Sequence, residues 1–277
     1  MADFLVCTAQ GVHPTAPTLA IRRGALAEVL TSDLVHAVFR VRAMPDTHPT
    51  ITQLDDERHR APKNRRGADM LAAIVLYPGF TSLDVIGPYE ILGRLPDAEV
   101  VFVAEEPALV RNDLGSLAVN VVATLADVTE PDVVLVGGGP GQMNQMFNGR
   151  LHEWLRTVDK TSAWTTSSCT GALILAAAGV LRGRRATTHW AVLDLLAEFG
   201  VTPSKERVVI DGHYATAAGV SAGIDMALTL AGLIAGDDVA REVQLLVEYA
   251  PEPPYDAGSP DSAPAAVVEK VMKALSA

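Results

Sequence analysis

Residues 71–77 read Leu-Ala-Ala-Ile-Val-Leu-Tyr, and this stretch decides the fold. Its seven apolar residues, ended by Pro78-Gly79, are typical of a strand that is buried on both faces. The pattern returns at 132–136, where the loop Gly137-Gly138-Gly139-Pro140-Gly141 ends the run. Strands covered on both faces belong to parallel sheets, so both stretches indicate an α/β protein.

Outward from residue 71, strands and helices alternate along the chain. We predict strands at 71–77, 100–104, 132–136, 163–167, 185–188 and 207–210. We predict helices over 83–93, 143–160, 170–178, 191–199, 222–235, 239–249 and 265–275. This order predicts a mainly parallel sheet with helices on both faces. Because such sheets bind ligands beyond the carboxyl ends of their strands, the residues that follow each strand are the candidate site.

The composition changes near residue 70. Residues 1–69 hold nine Lys or Arg and eight Asp or Glu, whereas the remainder holds 13 basic and 25 acidic residues. The first part also ends in a basic run at 58–66 (RHRAPKNRR), which is typical of a solvated segment. We therefore predict a poorly structured N-terminal extension over 1–69 and one domain over 70–277.

Charge and cysteine content disfavour several classes of protein. A net charge of −11 opposes binding to phosphate backbones, so we expect no nucleic-acid partner. The longest uncharged apolar run, 171–181, is too short to cross a bilayer, so we expect no membrane partner. Only two cysteines occur, Cys7 and Cys169, which indicates a reducing compartment, and we expect the cytoplasm.

Cys169 stands where a predicted strand meets a predicted helix, in the sequence SSCTGA at 167–172. Small residues on both sides permit a tight turn, which exposes the side chain at its apex as in the nucleophile elbow of hydrolases. A helix N-terminus favours the thiolate, so we expect a lowered pKa and a nucleophilic sulfur. The alternative is a buried structural cysteine. Cys7 has no comparable setting.

Two further strand ends carry candidate residues. Glycines of the 137–141 loop can present N–H groups to a developing anion, although a turn that needs positive φ would also use glycine. The loop lacks the spacing and the lysine of a phosphate-binding loop. Asp84 begins a helix just beyond the first strand, where it can exchange protons with a neighbouring thiol or simply cap the helix.

Histidine and metal chemistry have less support in the sequence. Cys169 is followed by Thr170 rather than by a histidine base, although His189 follows a predicted strand and can approach the site. The other histidines beyond residue 70, His152 and His213, are far apart in the sequence. Because no cluster has metal-ligand spacing, we expect no metal site.

Four blocks of sequence together resemble the ThiJ/PfpI superfamily. In the family's order they cover nearly all of 70–258, and they are LDVIGPYE (83–90), SCTGA (168–172), RATTHW (185–190) and TAAGVSAGID (216–225). The resemblance implies a flavodoxin-like three-layer sandwich of the class I glutamine amidotransferase type. It also implies a homodimer and no metal or organic cofactor. Residues 1–69 have no counterpart in that superfamily.

Within the superfamily, the sequence is most similar to the isonitrile hydratase branch, which adds water to an isonitrile and gives an N-substituted formamide. The catalytic residues that the resemblance implies are Asp84, Cys169 and Thr170. The expected oxyanion and substrate-binding residues are Gly138, Gly139, Trp190 and His189. In one order of steps the sulfur attacks the isonitrile carbon and gives a thioimidate while Asp84 donates a proton. In the other, Asp84 activates water directly and Cys169 assists.

Two other functions stay open at this stage. Many peptidase, deglycase and glyoxalase relatives carry Glu near the first strand and His after the cysteine, and Asp84 and Thr170 differ from that pattern. The cysteine block also resembles that of the sensory domains of AraC-type regulators, which carry an added DNA-binding region. We expect no such region because only 41 residues follow Gly236 and they are not basic. A small-molecule-sensing domain without catalysis is therefore the non-enzymatic alternative.

Overall fold

The computed structural model describes residues 50–52 and 70–275. The strands of this part of the chain are β1 (Thr50–Thr52), β2 (Met70–Val75), β3 (Ala98–Ala104), β4 (Ala108–Arg111), β5 (Ala118–Val121), β6 (Ala123–Thr124), β7 (Val133–Val136), β8 (Trp164–Ser168), β9 (Arg185–Ala186), β10 (Thr202–Pro203), β11 (Val208–Asp211) and β12 (Tyr214–Ala217). Its α-helices are α1 (Ser82–Leu92), α2 (Arg150–Val158), α3 (Gly171–Ala177), α4 (Ala222–Ala235), α5 (Asp237–Leu246) and α6 (Ala265–Leu275). Two 3₁₀ helices span Pro140–Gln145 and Trp190–Phe199.

A seven-stranded sheet in the order β11-β12-β8-β7-β2-β3-β6 forms the centre of the fold. Its strands pair in parallel except for β11 and β12, which form an antiparallel hairpin. A smaller sheet has the order β1-β5-β4, and β9 pairs with β10. Since β8, β7 and β2 are parallel neighbours, their carboxyl ends lie at one edge of the large sheet.

Helices cover the large sheet on both faces. Helices α1, α4 and α5 pack together, and their apolar side chains form one cluster with alternate residues of β2 and with the start of β7, namely Met70, Ala72 and Val133. Helices α2 and α3 contact each other, and their side chains belong to a larger cluster that includes Ala73 and Leu135. Successive strand residues point to opposite faces, and the larger cluster contains both Ala73 and Ile74, so it reaches both faces of the sheet. The predicted α/β fold, a flavodoxin-like three-layer sandwich, is confirmed.

The predicted helix over 143–160 is wrong as a single element. Residues 140–145 form a 3₁₀ helix, and α2 begins only at Arg150. Gly149 precedes it with extended backbone angles, φ −166° and ψ −166°. Glycine and asparagine both disfavour the helix interior, so Asn148-Gly149 separates the two elements.

The segment 185–199 is also less regular than its pattern suggests. Its strand ends at Ala186 and lies outside the large sheet, because the next N–H, that of Thr187, donates to the Thr216 hydroxyl at 2.9 Å. The predicted helix at 191–199 is a 3₁₀ helix with non-helical angles at Val192.

Two predictions on the N-terminal part fall almost wholly outside the described residues. The extension over 1–69 is represented only by β1, whose Thr50 lies opposite Ala118 of β5. Cys7 also lies outside the described part of the chain. The division of the chain at residue 70 therefore stays a prediction. Among the described helices, none combines the length and the apolar composition that a membrane crossing needs.

The start of α3 lies directly against the end of β7, and this contact fixes the edge at which the three strand ends meet. A Cβ atom at Gly171 would lie 2.0 Å from the carbonyl oxygen of Val136 and 2.9 Å from that of Gly137. Both atoms belong to the main chain of a buried strand end and cannot swing away. Hydrogen is therefore the only side chain that fits at this position.

We expect Gly171→Ala to lower the free energy of unfolding by about 3 kcal/mol, because the added methyl group forces the helix away from the sheet. Urea unfolding followed by circular dichroism measures this change. Gly258→Ala is the matched control, since nothing lies within 4 Å of a Cβ placed there. Equal unfolding midpoints for the two variants would contradict the close-contact explanation.

Candidate active site

Three of the predicted candidate regions meet at the carboxyl edge of the large sheet. Cys169 follows β8, the glycine loop follows β7, and Asp84 lies in the first turn of α1 after β2. These strands are neighbours in the sheet, with β7 between the other two. The sheet topology thus brings together residues that lie 85 positions apart in the chain, Asp84 and Cys169.

The backbone at Cys169 has the strained geometry of a tight strand-to-helix turn. Its φ is +55°, in the left-handed region that non-glycine residues rarely occupy. Such a conformation costs about 1–3 kcal/mol and persists only where the surroundings impose it. Here the Cys169 N–H donates to the carbonyls of Ala217 and Ala218 at 3.1 and 2.9 Å. The Cys169 carbonyl accepts from the Thr188 hydroxyl at 2.8 Å.

The glycine loop approaches this turn so closely that Gly138 has no room for a side chain. A Cβ atom on Gly138 would lie 2.5 Å from the Thr170 nitrogen and 2.8 Å from the Cys169 Cβ. The two loops are also joined by a hydrogen bond from the Gly139 N–H to the Thr170 hydroxyl oxygen, at 3.0 Å. In this structure the Gly139 N–H, a predicted donor to substrate or water, donates to Thr170, and the substrate-binding role of Gly139 stays a prediction.

Asp84 is fully buried, and its two carboxylate oxygens have different surroundings. Oδ1 accepts from the Ser168 hydroxyl at 2.6 Å. Oδ2 is buried and makes no hydrogen bond of good geometry to any residue that the structure describes. Burial raises the pKa of Asp84 to about 7, although Ser168, the Cys169 thiol and the Gly138 N–H partly oppose this rise. The carboxylate is therefore ready to gain or lose a proton near neutral pH.

The pKa of the Cys169 thiol is raised, so the expectation of a thiolate-favouring turn is wrong. Only 5% of the residue is exposed, and burial is the largest cause of the rise. The adjacent Asp84 carboxylate adds to it because two negative charges repel each other in an apolar site. The main-chain N–H groups of Thr170 and Val220 face the sulfur and act in the opposite direction, but burial outweighs them.

Asp84 and Cys169 together therefore hold at least one proton at neutral pH. Each group opposes ionisation of the other, and burial penalises both anions. Such a pair titrates as a unit, with one proton that can reside on sulfur or on oxygen. Chemically, the arrangement can add S–H to a small electrophile and relay the proton through the carboxylate.

His189 and Trp190 directly follow Thr188, which binds the Cys169 carbonyl, and both are half-buried. The His189 ring accepts from the Ala191 N–H at 3.3 Å and lies against Gly219, whose Cβ would be 3.1 Å from the imidazole. Burial lowers the His189 pKa, so the ring is neutral at neutral pH. Its hydrogen bonds within the described residues do not include one to Cys169 or to Asp84. The two rings are tilted neighbours with centroids 5.5 Å apart.

Several residues that contact the pair were not singled out from the sequence. Ser168 binds Asp84, Thr188 binds the Cys169 carbonyl, and the Tyr77 hydroxyl donates to the Gly137 carbonyl at 2.7 Å. The signal for Ser168 was present, because β8 ends in buried polar residues where an apolar run would be usual. No comparable signal marks the Val220 N–H. Across the described ranges, no group of three or more His, Cys, Asp or Glu side chains is arranged to hold a metal ion.

Comparison with known proteins identifies a family for most of the described chain. Residues 70–232 match the model of the DJ-1/PfpI family. The chain is 45% identical to the isonitrile hydratase of Pseudomonas putida, over 72% of this chain and 87% of that protein. It is 30% identical to the transcriptional regulator CdhR of Pseudomonas aeruginosa, over 61% of this chain and 52% of the regulator.

A solved structure shows a similar fold. The crystal structure of a ThiJ/PfpI family protein from Pseudomonas syringae superposes with a TM-score of 0.73 and 33% identity. The superposition covers 86% of this chain and 94% of that one. The chain therefore belongs to the DJ-1/PfpI family.

Proposed function

We propose that the protein is an isonitrile hydratase, which adds water to an isonitrile and releases an N-substituted formamide. The observation that carries the proposal is the buried Asp84–Cys169 pair, which holds a nucleophilic sulfur and a transferable proton side by side. The 45% identity to the hydratase of Pseudomonas putida supports the same reaction. The partner of the site is then a small molecule with a terminal, polarisable carbon.

The first step forms a thioimidate on Cys169. The sulfur attacks the terminal isonitrile carbon, and the proton of the pair passes through Asp84 to the same carbon. A C–S bond and a C–H bond form, the S–H bond breaks, and the nitrogen becomes an imine nitrogen. No free thiolate accumulates, which suits a site where burial raises the thiol pKa.

The second step hydrolyses the thioimidate. The Asp84 carboxylate removes a proton from water as the oxygen attacks the carbon, and the imine nitrogen gains a proton. The tetrahedral adduct then loses its C–S bond, and a proton returns to the sulfur as the formamide leaves. The sum of the two steps is one isonitrile plus one water, and the enzyme returns to its starting state.

The remaining candidate residues take supporting roles in the proposal. Thr170 orients the water, since its hydroxyl lies 3.4 Å from the Gly139 carbonyl, a long donor contact that a water molecule can replace. The main-chain N–H of Gly138 faces Asp84, and the absence of a side chain at Gly138 leaves room for the Cys169 turn beside it. His189 and Trp190 form the wall beside the nitrogen substituent. We also propose that the protein is a homodimer, which large exposed apolar side chains on α1 and α5 support, namely Leu83, Leu245 and Leu246. The content of only two cysteines supports a cytoplasmic location.

We expect Cys169→Ala to abolish formamide production from cyclohexyl isocyanide, because the proposed thioimidate forms on the sulfur that this substitution removes. Asp84→Asn should lower turnover about 10²–10⁴-fold, the usual contribution of a positioned acid–base group. Gas chromatography of the formamide measures both. Cys7→Ser and Glu90→Gln are matched controls, the latter an exposed carboxylate on the same helix. Wild-type turnover in either active-site variant refutes the mechanism, and turnover of methylglyoxal without isonitrile turnover refutes the substrate class.

We expect kcat/KM to rise with pH through about 7 and then to stay level into the alkaline range. Below this pH Asp84 is protonated, and the pair carries two protons instead of the one that the relay needs. The level region is long because the thiol pKa is raised. A pH–rate profile at substrate concentrations far below KM tests this. The fall of kcat/KM below pH 7 should disappear in Asp84→Asn and persist in Glu90→Gln. If Asp84→Asn keeps this fall unchanged, a group other than Asp84 causes it.

We expect Asp84→Asn to stabilise the fold at pH 8 by about 2–4 kcal/mol, because the buried carboxylate opposes folding once it is ionised. The folded-state pKa, about 7, exceeds the ordinary value of 3.8. The parent protein therefore loses stability as pH rises between these values, and the gain from the amide disappears at low pH. Urea unfolding of parent and variant at pH 8 and at low pH measures the difference. An equal gain at both values would point to packing rather than charge.

A further inference from the structure

The segment 218–221, between β12 and α4, forms one wall of the Cys169 turn. The Ala218 carbonyl accepts from the Cys169 N–H at 2.9 Å. The Val220 N–H faces the sulfur and favours its anion. Gly219 lies against the His189 ring. Any displacement of this segment would therefore alter the backbone, the sulfur and the border of the site together.

Arg207, which immediately precedes β11, holds this segment at both ends. Its carbonyl accepts from the Ala218 N–H at 2.9 Å. Its guanidinium donates to the Ser221 hydroxyl at 3.2 Å and, through Nε, to Asp225 Oδ2 at 2.5 Å. The Tyr249 hydroxyl donates to the other oxygen of Asp225 at 3.2 Å, so the carboxylate is itself held in place.

Global stability does not account for this arrangement. The Arg207 side chain is 52% exposed and that of Asp225 is 33% exposed, and ion pairs of such exposure add little to the stability of a fold. The arrangement instead fixes the positions of the groups that Arg207 binds. A planar guanidinium can bind two acceptors in fixed directions, which the single ammonium of lysine cannot do. Its two acceptors belong to the segment's last residue, Ser221, and to the first turn of α4.

We propose that Arg207 is a positioning residue, which holds residues 218–221 against Cys169 and keeps the Val220 N–H directed at the sulfur. Arg207 itself makes no hydrogen bond to Cys169 or Asp84 among the described residues, so it acts through the main chain of this segment. Of the titratable groups in the described part of the chain, Asp84 of α1 faces the sulfur, and Tyr77, which follows β2, interacts with the charges of both Asp84 and Cys169. Neither is altered by a substitution at Arg207. The proposal rests on the proposed function only in taking Cys169 as the nucleophile.

The test measures the reactivity of Cys169 without any isonitrile. Full-length protein carrying Cys7→Ser is alkylated with iodoacetamide over a range of pH, and mass spectrometry follows the modification of Cys169. We expect Arg207→Lys to lower the alkylation rate at neutral pH about tenfold, which corresponds to a rise of one pKa unit. Because lysine keeps the positive charge, a slower reaction reports lost geometry rather than lost charge.

Two further variants complete the experiment. Ser221→Ala removes the contact to the segment but leaves the Arg207–Asp225 pair, and we expect a smaller slowing of the same sign. It also decides the question if Arg207→Lys fails to fold. Arg241→Lys is the matched control, an exposed arginine that pairs with Asp237 and Asp238 on α5. A parent-like pH profile in folded Arg207→Lys, or in Ser221→Ala, overturns the proposal, whatever the substrate of the enzyme is.

Discussion

Removal of Asp84 and Cys169 from water is the constraint on which the chemistry of this protein depends. In solvent the Asp84 carboxyl group would be ionised at neutral pH, but burial raises the pKa of both groups, and their mutual repulsion keeps a proton between them. The pair is thus neither a free thiolate with a bystander acid nor two neutral groups at every pH. It is a single acid–base unit that holds at least one proton at neutral pH.

The buried pair and its turn lower the stability of the fold at several places. An ionised, buried carboxylate and a cysteine at positive φ both disfavour folding. The opposing contribution comes from the parallel sheet and its two apolar clusters, which surround the strand ends with buried side chains. Glycines at 138 and 171 let the loops approach closely enough to exclude water from the pair. Stability is lost at the site and regained through the core.

Sequence reasoning brought the candidate residues to one edge of the sheet but did not predict their electrostatics. Apolar runs at 71–77 and 132–136 placed the strands, and the rule that parallel sheets bind ligands at their carboxyl ends then brought Asp84, the glycine loop and Cys169 to one edge. The predicted direction of the Cys169 pKa shift was wrong. Local sequence shows the helix that follows a cysteine, but it does not show the side chains that cover the sulfur. The groups that face Cys169 include residues far along the chain, such as Val220, whose N–H has no sequence signal. The residues Asn148-Gly149 themselves indicate that a helix cannot continue through them. The 3₁₀ geometry of 190–199, in contrast, depends on packing.

The same electrostatics bear on which electrophile the site suits. Attack of a thiol on a carbonyl places negative charge on oxygen, and enzymes that use it supply free N–H donors for that oxygen. Here the Gly139 N–H already donates to Thr170, and the Cys169 N–H donates to the 217–218 carbonyls. Attack on an isonitrile instead builds negative charge on the carbon that bonds to sulfur, and that charge is removed by one proton. A buried pair that holds one mobile proton meets this requirement.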